Sequence, residues 1–400
     1  MRAIILAAGE GSRMRPLTYT RPKVMLPIAN RPLLEHLLIE ARQAGIREFV
    51  FIVGYHDEQV RDYFGSGEKW AVNIEYCTQR KQLGTADALK MAQGLVDGNF
   101  LVMNGDIIAG HRDINGLTQR NDNTLSIVEV EDSRDLGVVE LSGGKITHIY
   151  EKSERPSSHI ANAGLYLFTL EIFDAISQTS KSPRGEYEIT DSLQLMIDSG
   201  HHISYHQISC WLDLSYPWDL LPANEHLLAE IEAQNLGKVE ENAVIKGVVS
   251  IGKDTVVRSG SYIIGPVLIG QNGDIGPNCY IRPCTSIGDN CHIGSAVEVK
   301  NCIIMKGSKI PHHNYIGDSV IGEECNFGAG TKIANLRLDK KDIWVANLDT
   351  KRRKLGAIIG DRVETGINAC INVGCMIGNN THIGPGAIAS GIILPDSRIF

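Results

Sequence analysis

The chain has 400 residues, 43% hydrophobic and 22% charged, a length for two or three domains and the balance of a globular fold in water. Its 39 Lys and Arg against 47 Asp and Glu give a formal charge of −8, which excludes any whole-chain attraction to nucleic acid or anionic lipid. No apolar run approaches the roughly 18 residues a spanning helix needs, and residues 1–13 lack the layout of a signal peptide, so a cytoplasmic protein with neither membrane nor nucleic-acid partner is expected. Nine Cys without a CxxC pair disfavour a disulfide framework and a zinc ribbon.

The first 236 residues alternate short apolar runs with helical patterns. AIILAAG (3–9) reads as a strand, LLEHLLIEARQAG (33–45) as a helix, EFVFIVG (48–54) as a strand and DEQVRDYF (57–64) as a helix, the rhythm of βαβ units. FLVMNGD, LSIVEVED, GVVEL and AGLYLF add strands, which predicts a mixed α/β sheet with its ligands beyond the carboxyl ends of strands, where LAAGEGSR and NGD fall. From 218 to 235 the apolar spacing of Leu221, Leu227, Leu228 and Ile231 predicts a linking helix.

After residue 236 the composition changes. The last 164 residues hold 23 of the 41 Gly, 26 Ile and only 6 Leu, a β-rich segment. Val239, Ile245, Ile251, Val257, Ile263, Ile269, Ile275, Ile281, Ile287, Ile293, Val299 and Met305 stand six apart, and two residues before them come small or β-branched ones such as Val249, Thr255, Ser261 and Val267. Period two within period six means very short strands whose inward side chains fill a narrow core: a β-solenoid. Cys279, Cys291, Cys325 and Cys375 share the small inward slot, which makes them core fillers. The next phased positions read as Tyr315, Ile321, Phe327 and Ile333, so a four-residue intrusion is expected around His312 and His313. A second slip lies between Ile333 and Ile359. It is basic, with eight Lys or Arg and three Asp over residues 332–354, and loops that leave a coil tend to carry function.

Leu6-Ala7-Ala8-Gly9-Glu10-Gly11-Ser12-Arg13, ending a strand ahead of Arg21-Pro22-Lys23, can bring backbone N–H donors and cationic side chains to phosphates. This string resembles the signature of sugar-1-phosphate nucleotidylyltransferases. The resemblance continues through Gln79, Leu83-Gly84-Thr85-Ala86, Asn104-Gly105-Asp106, Gly137, Glu151-Lys152, Asn162-Ala163-Gly164, Glu188-Ile189-Thr190-Asp191 and Trp211-Leu212-Asp213. It implies a Rossmann-like sheet in which Leu6, Ala8, Gly9, Gly11, Ser12, Gln79, Gly84 and Thr85 hold a pyrimidine nucleotide. Arg13 and Lys23 would grip its phosphates as catalytic residues, Gly137, Glu151 and Asn162 would hold the sugar, and Asp106 and Asp213 would bind Mg²⁺. At the second metal position bacterial bifunctional relatives carry an amide, so Asp213 resembles the thymidylyltransferase and archaeal branches; an Asp there also suits a turn cap.

Arg282-Pro283, Glu298-Val299-Lys300, the stretch from Pro311 through His312 and Tyr315 to Asp318, Asn326-Phe327-Gly328-Ala329 and Ala334-Asn335-Leu336-Arg337 resemble, in order and spacing, the acetyltransferase half of the bifunctional UDP-N-acetylglucosamine pyrophosphorylase/glucosamine-1-phosphate N-acetyltransferases, the archaeal members above all. The six-residue repeat resembles that of the left-handed parallel β-helix, a fold usually trimeric. The resemblance implies His312 as the base that takes the amine proton, with His313 a spectator. Arg282, Lys300 and Tyr315 would lie on the sugar phosphate, Asn326 and Asn335 on sugar or acetyl, and Ala329 backbone near the developing oxyanion. Lys341 and the basic run 351–354 suit the phosphates of coenzyme A, or form a solvated loop.

The expected architecture is a nucleotidyltransferase domain at 1–217, a linker helix at 218–236 and a left-handed β-helix N-acetyltransferase domain at 237–400. The expected enzyme is a homotrimer that acetylates glucosamine 1-phosphate with acetyl-CoA and then uridylylates N-acetylglucosamine 1-phosphate with UTP and Mg²⁺. The rival is a monofunctional glucose-1-phosphate thymidylyl- or uridylyltransferase whose β-helix serves only assembly.

Overall fold

The computed structural model describes residues 1–151 and 156–400, and contacts divide it into two compact units. The first comprises Met1–Glu10, Arg21–Met25 and Leu33–Asp213, and the second Gly11–Thr20, Leu26–Pro32 and Leu214–Phe400. Among the described residues no helix is long and apolar enough to cross a membrane.

A nine-stranded mixed sheet organises the first unit, with Lys145–Glu151, Gly137–Ser142, Ile160–Phe168, Phe100–Asn104, Arg2–Ala7, Glu48–Val53 and Asn73–Thr78 in that spatial order. Alternation along the strands fills two cores, one on each face. Ala3, Ile5, Phe49 and Phe51 pack with the helix Leu33–Gln43, while Ile4, Val50 and Ile52 face Thr85–Lys90, Ile172–Gln178 and Ile189–Asp198. Arg2–Ala7 runs parallel to Glu48–Val53 and Phe100–Asn104, and Glu48–Val53 parallel to Asn73–Thr78. The chain steps outward from the first strand in one direction, then returns to its other side with Phe100–Asn104. Strand order therefore reverses beside Ala7 and Asn104, the place where open α/β sheets accept ligands.

Three parallel sheets of nine, nine and eight short strands build most of the second unit, the arrangement of a left-handed parallel β-helix. Each coil lies in register on the next: Val249, Val267 and Thr285 are stacked partners, as are Ile251, Ile269 and Ile287. The small inward slots are filled as the alternation predicts, Thr255, Ser261, Val267, Cys279, Cys291, Cys325 and Cys375 all being buried.

The expected four-residue intrusion at His312 is absent. Ile287 stacks on Ile304 and Ile304 on Ile321, and Val299 stacks on Ile316. The inward positions are thus Ile304 and Ile316, not Met305 and Tyr315, and each of these two coils is one residue short at a single corner. The strand Lys309–His312 continues its sheet without a bulge, with His312 beside Ser295. The second slip is a true departure. Ile321 stacks directly on Ile359, so the chain leaves the coil after Ile333 and returns at Ala357, folding on the way into the hairpin of Trp344–Val345 and Leu348–Asp349 over buried Ile343, Val345 and Leu355.

The linking helix is shorter than its apolar spacing predicts, Leu220–Leu228. Gln234–Asn235 instead pairs in parallel with Ser250 and Ile251, opening the first sheet of the solenoid. Asn224, fully buried on that helix, accepts from Ala29 N at 2.9 Å and donates to Cys284 O at 3.1 Å, tying helix, 26–32 segment and coil together within the second unit.

Burial pushes the thiols of Cys291, Cys302, Cys325 and Cys375 up to about 12, so at pH 8 they are protonated as well as enclosed, and a thiolate is the species that reacts. A maleimide pulse on native protein at pH 8, read by peptide mass spectrometry, is expected to leave these four unmodified until denaturant is added. Ile281→Ala, at a fully buried slot, is expected to lower stability by about 2–5 kcal/mol in chemical denaturation.

Candidate functional site

The carboxyl ends of the parallel strands gather most of the residues expected at a nucleotide. Ala8 and Gly9 follow the first strand, and Gly9 borders open space, with no atom within 4 Å of where a side chain would begin. Ala8 O accepts from Tyr55 N at 3.2 Å and from Gln82 Nε2 at 3.0 Å. Gln79 is 4% exposed, and its Nε2 donates to Asp87 Oδ2 at 2.8 Å and Gly84 O at 3.2 Å, so the carboxamide is held rigidly at the rim. Gly84 has φ +113°, and a Cβ there would stand 2.4 Å from Tyr187 O. Only glycine permits this turn, after which Thr85 Oγ1 accepts from Ile189 N at 2.9 Å. Leu6 O accepts from Gly105 N at 2.9 Å, closing the first strand onto the Asn104-Gly105-Asp106 turn.

Lys23, almost buried, places Nζ 2.7 Å from Asp106 Oδ2. The strand Trp211–Asp213 pairs antiparallel with Ile107–Ala109, and its register sets Asp213 opposite Ile107, next along the chain from Asp106. Trp211 Nε1 donates to Ala163 O at 2.9 Å and pins that strand. Two carboxylates therefore come from adjacent strand positions, one already carrying a cationic partner. Among the described residues no group of three or more His, Cys, Asp or Glu converges as a metal cage. This donor set fits a hard divalent ion that takes its other oxygens from phosphate and water, and does not fit zinc.

The three residues expected at the sugar also meet. Gly137 is the register partner of Glu151, and a Cβ on Gly137 would lie 3.2 Å from Glu151 Oε1 and 3.3 Å from Asn162 Cβ. Asn162 Nδ2 donates to Tyr166 OH at 2.7 Å while its Oδ1 accepts from Gly164 N at 2.9 Å. Glu188, buried close by, has its carboxyl pushed up by desolvation and then by the charge of Glu151. Lys152 lies outside the described residues.

Gly11, Ser12 and Arg13 group with the second unit. Gly11 O accepts from Thr18 Oγ1 at 2.9 Å, the Arg13 guanidinium lies 5.7 Å from the Tyr216 ring centre, and Thr20 Oγ1 donates to Asp361 Oδ2.

On the solenoid, in-register stacking turns residues distant in sequence into one outward column. Tyr280, Glu298, Tyr315 and Lys332 are successive partners, and Lys300 stands over Gly317. Arg282 Nη1 is 2.9 Å from Glu298 Oε1. Lys300 Nζ lies 3.0 Å from Asp318 Oδ1, and Asn335 Nδ2 donates to Tyr315 OH at 3.2 Å and to Asp318 Oδ2. Four of the expected acetyltransferase residues, Arg282, Lys300, Tyr315 and Asn335, thus sit in this column. Burial holds the Tyr315 phenol above its ordinary range. His312 is exposed at the end of its strand in the neighbouring sheet, and its carbonyl accepts from Gly330 N at 2.9 Å, which brings it beside the loop of Ala329. Asn326, also exposed, lies on that sheet as the partner of Lys309. Lys341 lies on the excursion, where Arg337, Lys340, Lys341, Asp342, Trp344 and Asp349 line an open hollow of about 500 Å³.

Sequence reasoning included Asp318, the carboxylate at the centre of the column, in the motif from Pro311 to Asp318 but gave it no role.

Residues 2–230 match the nucleotidyl transferase family and residues 263–374 the GMPPB C-terminal domain. The bifunctional sugar-1-phosphate nucleotidylyltransferase/acetyltransferase of Sulfurisphaera tokodaii is 41% identical over 98% of this chain and 97% of its own length. The bifunctional protein GlmU of Methanocaldococcus jannaschii is 42% identical over 96% of this chain and 93% of its own. A solved Bacillus anthracis chain assigned as a glucose-1-phosphate thymidylyltransferase superposes with a TM-score of 0.53 at 30% identity, over 59% of this chain and 98% of that one. The chain belongs to the family of bifunctional sugar-1-phosphate nucleotidylyltransferase/acetyltransferases. It is a transferase of both kinds, and nucleotide and acetyl-CoA are its co-substrates.

Gly84→Ala is expected to destabilise the first unit by about 1–3 kcal/mol, from strain at positive φ and the clash with Tyr187, read as a lower melting temperature.

Proposed function

We propose that the solenoid acetylates glucosamine 1-phosphate with acetyl-CoA, and that the mixed-sheet unit then joins N-acetylglucosamine 1-phosphate to UTP, giving UDP-N-acetylglucosamine and pyrophosphate. The observation that carries the acetyl half is the column in which Arg282, Lys300, Tyr315 and Asn335 stand together through coil register. Two cations and a phenol match a sugar phosphate, and an amide beside them matches the amino group. His312 takes a proton from the amine as its nitrogen attacks the thioester carbon. The C–S bond breaks and coenzyme A leaves as the thiol. With Gly328 N and Gly330 N spent on Thr365 O and His312 O, the Ala329 N–H is the backbone donor assigned to the charge that develops on the carbonyl oxygen. Lys341 and the hollow it lines receive the coenzyme's phosphates.

In the first unit, Ala8, Gly9, Gln79, Gly84 and Thr85 hold the pyrimidine nucleotide, with Leu6 on the strand that leads to Ala8. Lys23 neutralises its phosphates, and Gly137, Glu151 and Asn162 hold the sugar. The sugar phosphate oxygen attacks the α-phosphorus in line and pyrophosphate departs, so positioning and charge neutralisation make up the catalysis. Asp106 and Asp213 are the residues to hold Mg²⁺, which supplies further charge neutralisation on the phosphates when bound. Lys23, 2.7 Å from Asp106, exchanges that carboxylate for phosphate oxygens when substrate arrives.

The likeness to the Bacillus anthracis chain favours a second reading of the base and sugar, dTTP with glucose 1-phosphate, although the Sulfurisphaera tokodaii relative, matched from end to end, carries both activities in its name. We assign the assembly as a homotrimer through the β-helix. Supporting it are the exposed Ile367, Ile388 and Cys370 on and beside one solenoid face.

Purified protein with glucosamine 1-phosphate and acetyl-CoA is expected to release coenzyme A thiol. His312→Ala is expected to lose at least ~100-fold of that rate, in the usual range for a general base, while still making pyrophosphate from UTP and N-acetylglucosamine 1-phosphate. No thiol release by the wild type, or full release by His312→Ala, contradicts the reading. Asp106→Asn is expected to reverse the selectivity, with pyrophosphate lost and thiol release kept. A panel of nucleoside triphosphates against sugar phosphates decides between UTP and dTTP.

A further inference from the structure

Asp318 is 2% exposed and accepts from three side chains: Lys300 Nζ at 3.0 and 3.1 Å, Asn301 Nδ2 at 2.9 Å and Asn335 Nδ2 at 2.5 Å. An ionised carboxylate only accepts hydrogen bonds, whereas a carboxamide has two faces of opposite sense. Asp318 therefore dictates which way Asn335 turns: its NH₂ goes to the carboxylate and to Tyr315 OH at 3.2 Å. Two consequences follow along this chain of donors. Asn335 Oδ1 becomes the unspent end of the amide, with no protein donor among the described residues. Tyr315, having accepted from Asn335, keeps its own O–H proton for an acceptor outside the protein. Lys300 is held at the same place by the same carboxylate. Around Asp318 the column thus offers one acceptor, Asn335 Oδ1, one neutral donor, Tyr315 OH, and one cation, Lys300, in fixed order.

That order suits a ligand with an N–H donor and an anionic phosphate, an amino sugar phosphate. We propose that Asp318 is a positioning residue of the acetyltransferase site. By fixing the polarity of Asn335 and Tyr315, it makes the column select an amine-bearing sugar phosphate. The proposal rests on the acetyltransferase reading above and adds to it the residue that sets substrate choice. Asp318 itself touches no substrate. Asn335 Oδ1 accepts one amine N–H, leaving the nitrogen lone pair for attack on the thioester.

The test uses the full-length chain and steady-state release of coenzyme A thiol, with melting temperature and pyrophosphate release on the same preparations as reports of folding. Asp318→Asn lets residue 318 donate and so lets Asn335 turn over. The expected result is a KM for glucosamine 1-phosphate raised about tenfold or more, with the KM for acetyl-CoA changed less than about twofold, the asymmetry of a lost polar match on one substrate. Asn335→Asp alone sets two carboxylates against each other and is expected to be at least as impaired. The swapped pair Asp318→Asn with Asn335→Asp restores a donor facing an acceptor and presents oxygen to the amine whichever way residue 335 turns. It is expected to recover part of the lost kcat/KM, beyond the product of the single effects though short of the wild type because Tyr315 O–H and Lys300 lose their original partners, a coupling that a merely structural role for Asp318 would not produce. An unchanged sugar-phosphate KM in Asp318→Asn, equal rises in both KM values, or a swapped pair no better than the product of its single effects overturns the proposal. If Asp318→Asn does not fold, the swapped pair against Asn335→Asp decides it. Absence of thiol release from the wild type is a different failure, because it removes the acetyltransferase reading itself.

Discussion

Coil register is the constraint on which the solenoid half of this enzyme depends. A parallel ladder places each residue directly over its partner one coil earlier, and the inward slots admit only side chains that fill a narrow core. Once Ile281, Val299, Ile316 and Ile333 are committed inward, their neighbours Tyr280, Glu298, Tyr315 and Lys332 have no choice but to face outward in a column. Rigid strands hold this group, and no loop has to close to assemble it. The shortened coils matter for the same reason. Dropping one residue before Ile304 and again before Ile321 keeps the sheets in register while placing Asn301 and Asp318 at left-handed corners, where Asp318 can turn back under Lys300.

The first unit reaches its site by a different route. Its sheet order reverses at the first strand, which opens a crevice, and the ends of four parallel strands supply the turns that line it. One electrostatic contact there pairs Lys23 with Asp106, the groups assigned above to phosphate and to Mg²⁺. With side-chain exposures of 11% and 39%, the pair is partly screened and easily exchanged, unlike a fully buried ion pair. Its value is to keep both charges in place before the substrate arrives.

Much of this was legible in the sequence because periodicity reports burial directly. The six-residue repeat, the inward cysteines and the βαβ rhythm are all statements about which side chains avoid water. What stayed hidden was local. In Ile303-Ile304-Met305 three consecutive side chains are aliphatic, so pattern alone cannot say which one fills the slot, and the count of six pointed to Met305. Tyr315-Ile316 poses the same ambiguity, and choosing Tyr315 created an intrusion at His312 that the backbone does not have. Counting by sixes marked the departure between Ile333 and Ile359 but not its length, since a long departure and a small slip leave similar remainders. Gln234 and Asn235 read as helix because ladder partners 16 residues ahead, Ser250 and Ile251, are invisible to a local window. Asp318 stood in the motif without a role because its importance lies in its bonds to Lys300, Asn301 and Asn335, and only stacking makes those neighbours.

The central claim is that one chain performs both transfers on one sugar. Purified protein given glucosamine 1-phosphate, acetyl-CoA carrying ¹³C in the acetyl group, UTP and Mg²⁺ should yield UDP-N-acetylglucosamine whose mass contains the label, with coenzyme A and pyrophosphate released in equal amounts. A nucleotide sugar without the label, or labelled N-acetylglucosamine 1-phosphate that is never joined to a nucleotide, would contradict the account.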